Sequence, residues 1–321
     1  MMKKINDFKG KRVLVRCDFN VPLDDNGDIA DDFKIKQTVP TLKYLQKKGA
    51  KLLLMSHRSD DKSLDSAWKD LAKYIDTKDI TFLKNPRLDE REEANNDEYA
   101  KELSSLADIY VNDAFGVCHR EHASVVAITK YLPSEMGLLL EKEAEALSRI
   151  IDNPKRPLAA VIGGAKIESK AKVIDKFLEI ADNVLIGGKI GFDIKLKSSK
   201  LFLPVDYNNK LDIGPETIEL FTGIIKKAKV VVWAGPMGRF EDVSYEEGTK
   251  KIAQAIIESK AFSVVGGGDT IGALTKLNLV DKFSHVSTGG GAMLAFLAGE
   301  ELPGLKALGY YGNKEFKKGG Q

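Results

Sequence analysis

The chain has 321 residues, 43% hydrophobic and 30% charged, a balance that suits an ordinary globular protein long enough for two domains. With 49 basic against 47 acidic residues the formal charge is +2, so overall electrostatics give no ground for nucleic-acid or anionic-membrane binding, and any anion site is local. Two cysteines, Cys17 and Cys118, exclude a disulfide framework or a cysteine metal cluster; together with the lack of a signal-like apolar stretch near the N-terminus or any membrane-length run, they predict a cytoplasmic protein.

In chain order, short apolar, β-branched runs alternate with helix-length amphipathic segments, which predicts parallel sheets covered by helices on both faces. In the first half the strands fall at Arg12 to Cys17, Lys51 to Met55, Ile80 to Leu83 and Ile109 to Val111, with helices over Lys34 to Lys48, Asp65 to Ile75 and Asn96 to Leu106. A long helical stretch, Ser134 to Ile151, then meets Asp152-Asn153-Pro154-Lys155-Arg156-Pro157, where two prolines break the apolar period and mark the domain boundary. Beyond it the strands fall at Leu158 to Ile162, Asn183 to Ile186, Lys229 to Trp233, Phe262 to Val265 and His285 to Ser287, with helices over Glu168 to Ile180, Pro215 to Lys227 and Tyr245 to Ser259. Two α/β lobes are expected, residues 1–154 and 155–321; the last residues are free to return to the first lobe, and the tail from Tyr311 to Gln321 is polar and rich in glycine and lysine.

Phosphate recognition favours arginine for its planar fork of donors, and lysine or histidine as point charges, on loops at the carboxyl ends of parallel strands. The first lobe offers such residues after nearly every strand: Arg16 to Pro22, Ser56-His57-Arg58, Asn85-Pro86-Arg87, and Asn112 to Gly116 leading to His119-Arg120-Glu121-His122, with Lys34 opening the first helix. Singly, each reads as readily as a solvated charge or a capping group. Their recurrence at one edge of one sheet favours an anion site, where Asp18 and Asn20 suit a hydroxyl or carboxylate end of the substrate. The two histidines around Arg120 lack a cysteine or carboxylate partner at ligand spacing, so hydrogen bonding and a positive local field are preferred to a metal.

In the second lobe, Val264 to Thr270 sets three glycines behind an apolar strand and follows them with a carboxylate and a hydroxyl. Glycines let backbone N–H groups approach an anion, and a helix starting at Thr270 would add a partial positive charge facing it. Asp269 then suits Mg2+, which takes one or two carboxylates plus phosphate oxygens. Gly163-Gly164-Ala165-Lys166 ends a strand and enters a helix, and Lys170 lies one turn beyond Lys166 on the same face, so both ammonium groups reach one anion. Trp233 to Glu241 supplies a glycine-and-proline turn with a carboxylate for ribose hydroxyls, and Ser287 to Ala292 a second hydroxyl-plus-glycine helix entrance. Any one of these serves equally well for close packing of helix on strand; four in one lobe favour a nucleotide phosphate site. No Walker A string and no Gly-x-Gly-x-x-Gly occurs, which disfavours a P-loop NTPase and a dinucleotide dehydrogenase.

From Lys11 to about Leu308 the chain resembles the phosphoglycerate kinases. The resemblance rests on Arg-Cys-Asp-Phe-Asn-Val-Pro at 16 to 22, Ser-His at 56 to 57, Val-Asn-Asp-Ala-Phe-Gly at 111 to 116, His-Arg-Glu-His-Ala-Ser at 119 to 124, Gly-Gly-Ala-Lys at 163 to 166, Leu-Asp-Ile-Gly-Pro-Glu at 211 to 216, Gly-Gly-Gly-Asp-Thr at 266 to 270 and His-Val-Ser-Thr-Gly-Gly-Gly-Ala at 285 to 292. It implies two Rossmann-like three-layer α/β/α lobes with parallel sheets, joined by a hinge whose closure excludes water. The first lobe would bind 3-phosphoglycerate or 1,3-bisphosphoglycerate and the second Mg-ADP or Mg-ATP, in a monomer acting on small molecules, with no nucleic-acid or membrane partner. Carried over by the resemblance, substrate binding falls to Asp18, Phe19, Asn20, Lys34, His57, Arg58, Arg87 and Arg120. Nucleotide binding falls to Gly164, Ala165, Lys166, Lys170, Gly188, Leu211, Pro236, Glu241, Gly267, Gly268, Asp269 and Thr270, with Asp269 on the metal and with Lys34, Lys166 and Gly268 as the catalytic set.

The chain departs from the family pattern at several points. Lys34 stands where an arginine is expected, the Ser-His-Leu-Gly-Arg-Pro loop is shortened to Ser56-His57-Arg58-Ser59-Asp60, and Lys84 and Leu88 flank Asn85-Pro86-Arg87 where glutamate and phenylalanine are expected. Ala234 replaces the asparagine of Trp-Asn-Gly-Pro, and gaps fall before Asn85, after Ile194 and between Asp206 and Leu211, the last in a stretch that walls the family's adenine pocket. These departures leave a second reading, a weakened or inactive relative that binds nucleotide or phosphoglycerate.

Overall fold

A computed structural model describes residues 5, 7–59 and 63–313; Asp60 of the shortened loop and positions 314–321 of the tail lie outside the described residues. The chain divides into two compact units, 1–144 with 301–321, and 145–300. No described helix is long and apolar enough to cross a membrane.

In the first unit β1 (Arg12–Arg16), β2 (Lys51–Met55), β3 (Thr81–Phe82), β4 (Ile109–Asn112) and β5 (Ser134–Met136) form one parallel sheet in the order β3-β2-β1-β4-β5. Alternation along β1 sends Val13 and Val15 to one face and Leu14 to the other, and both faces are covered. On one side they pack with Ile35 and Leu42 of α1 (Phe33–Lys47) and with Ala67 and Leu71 of α2 (Asp65–Leu71). On the other, Leu14 and Tyr110 pack against Ala100 and Leu103. The short α3 (Glu90–Glu93) precedes α4 (Asp97–Ser105), which carries those two residues and is capped by the Asn96 side chain on Glu98 N and Tyr99 N. Cys17 and Cys118 are buried free thiols whose pKa is pushed up by burial, which suits packing rather than reactivity.

The chain next forms α5 (Leu138–Ile151), and the division between the units falls within it, earlier than the proline-marked segment read from the sequence. In the second unit β6 (Leu158–Ile162), α6 (Ala171–Ile180), β7 (Asn183–Ile186), α7 (Ile190–Asp193) and β8 (Leu201–Phe202) lead to a hairpin of β9 (Tyr207–Asn208) and β10 (Asp212–Ile213). After α8 (Pro215–Ile225) come β11 (Val230–Ala234), α9 (Glu247–Ser259), β12 (Phe262–Gly266), α10 (Gly268–Lys276), β13 (His285–Ser287) and α11 (Gly291–Leu297); α12 (Pro303–Ala307) belongs to the first unit. The second sheet is parallel in the order β13-β12-β11-β6-β7-β8. Counted within each unit, both sheets follow the doubly wound order that starts at a central strand and grows outward both ways. The crevice at that reversal, outside the carboxyl ends of the strands, is where such sheets bind ligands.

Three expectations are corrected. Ser134 to Ile151 is not one helix: Ser134–Met136 pairs as an edge strand with β4, and the helix starts only at Leu138. Gly137 makes that junction possible, since a Cβ there would lie 2.1 Å from Asp113 Oδ1. Lys166 and Lys170 do not share a helix face, because α6 begins at Ala171 and the residues before it form turns closed by Lys170 N on Ile167 O. The glycine-run helix starts at Gly268 rather than Thr270. In the β9–β10 hairpin three residues, 209–211, join Asn208 to its partner Asp212; Asn209 (φ 50°) and Lys210 (φ 58°) are left-handed, and Leu211 N donates to Asn208 O at 2.9 Å to close the turn.

Candidate active site

Parallel strands deliver their following loops to one edge, so in the first unit the residues after β1, β2, β3 and β4 gather there. Asp18 is buried behind β1, and Lys34 from the start of α1 donates to its Oδ2 at 2.8 Å. Burial by itself pushes the Asp18 carboxyl up, but Lys34, His57 and Arg16 outweigh it and hold its pKa at about 2. His57 Nδ1 lies 3.9 Å from Asp18 Oδ1 and 3.4 Å from Arg16 Nη2. Burial, reinforced by Arg16, Arg87 and Lys34 against the opposing Asp18, lowers His57 to about 3, so the imidazole is neutral at neutral pH. The expected cation at His57 is therefore a neutral hydrogen-bonding ring. His122 is lowered in the same way to about 4, and His119 is also lowered, in each case chiefly by burial.

Asn20 and Arg87 meet at Ser59: Asn20 Nδ2 and Arg87 Nη1 each lie 3.2 Å from its Oγ. Arg87 lies 3.6 Å from Glu93, and its pKa is lowered by burial and by the nearby Arg16 and Arg120. Arg120 is exposed, beyond a short 3-10 turn at Phe115–Val117. Two expected contacts are not presented outward. The Phe19 ring is fully buried edge-on to Trp68, centroids 5.4 Å apart, so only its backbone is available. Arg58 is buried too, with Nη1 donating to Val21 O at 3.2 Å. Arg16, in contrast, belongs to the cluster, although the sequence names it only as opening the strand-end run 16–22 and not among the substrate-binding residues. Its signal is a charged residue closing the apolar run Val13-Leu14-Val15, which places a guanidinium inside the sheet.

In the second unit the central strands β6 and β11 bring two glycine turns together. Gly163 N donates to Ala234 O at 2.9 Å and Gly164 N to Pro236 O at 2.8 Å. A Cβ on Gly235 (φ 99°) would lie 2.2 Å from Gly163 O, and one on Gly188 (φ 60°) 2.6 Å from Gly164 N. Only glycine permits that approach and those angles. Lys170 Nζ donates to Gly163 O at 2.7 Å; burial lowers its pKa while Asp269 opposes the shift. Ala165 and Lys166 are exposed on the same turn, as are Leu211 and Glu241 on theirs, whereas Pro236 is buried.

At α10, Gly267 (φ 97°) turns the chain and the first intrahelical bond is Ile271 N to Gly267 O. The N–H groups of Gly268, Asp269 and Thr270 precede that bond and point out of the helix end, where a Cβ on Gly268 would meet nothing within 4 Å. Asp269 is exposed beside them. The Thr270 side chain does not face a ligand: it is buried, and its Oγ1 accepts Gly235 N at 2.7 Å, tying α10 to the β11 turn. Among the described residues no three His, Cys, Asp or Glu side chains are grouped to hold a metal. A lone carboxylate beside anion-binding N–H groups fits Mg2+, whose remaining ligands are phosphate oxygens and water.

Two doubly wound units, one with buried and exposed cations around an acid, the other with glycine turns and an open helix N-terminus, define a phosphate-handling α/β protein. A family model described as phosphoglycerate kinase matches residues 2–77, 59–201 and 193–300. The phosphoglycerate kinase of Dictyoglomus turgidum is 40% identical over 382 residues, an alignment covering 94% of this chain and 96% of that relative. Solved phosphoglycerate kinases from Coxiella burnetii (TM-score 0.81, 32% identity) and Pyrococcus horikoshii OT3 (TM-score 0.84, 31% identity) each cover 95% of this chain and are themselves covered over 97%. The chain belongs to the phosphoglycerate kinase family.

Proposed function

We propose that the chain catalyses reversible phosphoryl transfer from 1,3-bisphosphoglycerate to Mg-ADP, giving 3-phosphoglycerate and ATP. The observation that carries this reading is the 2.8 Å pair of Lys34 with a buried, ionised Asp18 beside His57, whose pKa Arg16 and Arg87 help to lower. Asp18 and Asn20 orient the glycerate hydroxyl and carboxyl end, Arg87 and Arg120 neutralise the 3-phosphate, and Lys34 faces the reacting end. In the second unit the N–H groups at Gly267 to Thr270 receive nucleotide phosphate, Gly164, Ala165, Gly188, Leu211 and Pro236 line the nucleotide, and Glu241 takes the ribose. Asp269 holds Mg2+, which when bound offsets charge on the phosphate oxygens.

Such transfer asks the protein for positioning and for neutralisation of the phosphoryl oxygens, not for a covalent intermediate. Exposed Lys166 is suited to stabilise the group in flight, and Lys170, anchored on Gly163 O, to hold nucleotide phosphate. A coupled assay for ATP formed from the acyl phosphate and Mg-ADP tests the proposal. Folded protein without turnover would instead support the binding-only reading, which rests on Lys34 in place of an expected arginine and on the segments missing relative to the family pattern.

A further inference from the structure

Arg16 closes β1 with no exposure, and a buried guanidinium is tolerated only when its donors are met. Nη1 donates to Cys17 O at 2.6 Å, Nε donates to Ser124 Oγ at 3.0 Å, and Nη2 reaches toward His57 Nδ1. The Nε bond depends on where the Ser124 hydroxyl sends its own proton. Ser124 Oγ donates to Glu92 Oε1 at 2.5 Å and Ser124 N donates to Glu92 Oε2 at 2.9 Å. Glu92 is itself fully buried on α3, its carbonyl accepts Ala123 N at 2.9 Å, and its Oε1 lies 3.8 Å from His122 Nδ1. One carboxylate therefore takes the hydroxyl proton, which leaves a Ser124 lone pair for Arg16, and the same residue grips the backbone just after Arg120.

We propose that Glu92 is a positioning residue for phosphoglycerate binding: through the Ser124 hydroxyl it fixes Arg16 against His57 and the Asp18–Lys34 pair, and through Ser124 N it fixes the segment that follows Arg120. The inference rests on the proposed function in taking the ligand to be 3-phosphoglycerate. Its physical content lies in the count of acceptors. A glutamine at position 92 has the same shape but one acceptor oxygen. With that oxygen on Ser124 Oγ, its NH2 faces Ser124 N–H, donor against donor; turned over, the hydroxyl hydrogen loses its acceptor and points toward Arg16. Either arrangement loosens the guanidinium without opening a cavity.

The test is calorimetric titration with 3-phosphoglycerate alone, beside steady-state kinetics with 3-phosphoglycerate and Mg-ATP. Glu92→Gln should weaken 3-phosphoglycerate about tenfold, in Kd and in KM, while the KM for Mg-ATP stays within about twofold. Ser124→Ala keeps the carboxylate and removes the relay, and should weaken the same ligand several-fold. The double variant should be no worse than Glu92→Gln, because both act through one arginine. Unchanged 3-phosphoglycerate affinity in folded Glu92→Gln, equal losses for both substrates, or additive losses in the double variant would overturn the proposal. Should Glu92→Gln fail to fold, Ser124→Ala decides alone, and an unchanged Kd overturns it. Wild type that binds 3-phosphoglycerate without turnover would defeat the proposed function while leaving this inference to the titration; wild type that binds none defeats both.

Discussion

Lys34 supplies a point charge where the family pattern has a planar fork, and its ammonium already pairs with Asp18 at 2.8 Å. Arginine there would keep the pair and add donors matched to phosphoryl oxygens. Lys34→Arg should therefore raise kcat in the coupled assay; an equal or lower kcat removes that account. Lys166→Ala should lower kcat about a hundredfold or more with little change in either KM, as expected for a group that acts on the transition state; a loss confined to KM would assign it to ground-state binding. The neutral His57 makes a pH prediction. Its folded pKa, about 3, lies below the ordinary 6.5, so as pH falls below about 6.5 the unfolded chain takes up a proton that the folded chain refuses. The His57 contribution to stability is thus intact above that pH and is lost progressively toward pH 3. His57→Gln should flatten the dependence, as read from urea midpoints at pH 5 and 7. At this scale, the gathering of Asp18, Asn20 and Arg87 at one sheet edge was legible because each follows a strand of one parallel sheet, whose succeeding loops share an edge. The setting of Arg16 was not, since its hydroxyl partner is residue 124, remote in sequence, which Glu92 of α3 holds in turn.

Helix α10 and the β11 turn depend on each other through Thr270, whose Oγ1 accepts Gly235 N. Thr270→Val keeps the shape and leaves that buried N–H without an acceptor, a cost of about 1–3 kcal/mol. Denaturant unfolding should show that loss together with weaker Mg-ADP binding; a variant as stable as wild type would mean that the two turns are held apart from this bond. Strands buried on both faces, such as β1 and β6, were legible as continuous apolar runs. The two-residue β8, β9 and β10 and the edge strand β5 were not, because their pairing is set by a neighbouring strand rather than by a period of their own. Lys170 misled for a related reason. Four-residue spacing suggests a helix face, but the close approach of Gly163 and Gly235 holds this stretch in turns and places the ammonium on a backbone carbonyl instead.

For the molecule as a whole, the site assignments predict which unit each ligand protects. In hydrogen exchange, 3-phosphoglycerate alone should slow amides after β1, β2 and β4, and Mg-ADP alone those after β6, β11 and β12. The reverse pattern would overturn the assignment of ligands to units. What the sequence by itself determined was the alternation of strands and helices, the two α/β bodies, and the strings at strand ends that announce phosphate chemistry, because these depend on local period and on the recurrence of one kind of string after successive strands. Tertiary structure alone decided that Phe19 and Arg58 turn inward, that Thr270 serves the fold, that His57 is neutral, and that Glu92 stands behind Arg16. Each of those follows from which distant residues are packed around a group, and so from its desolvation and its hydrogen-bond partners, neither of which is written in the neighbouring residues of the chain.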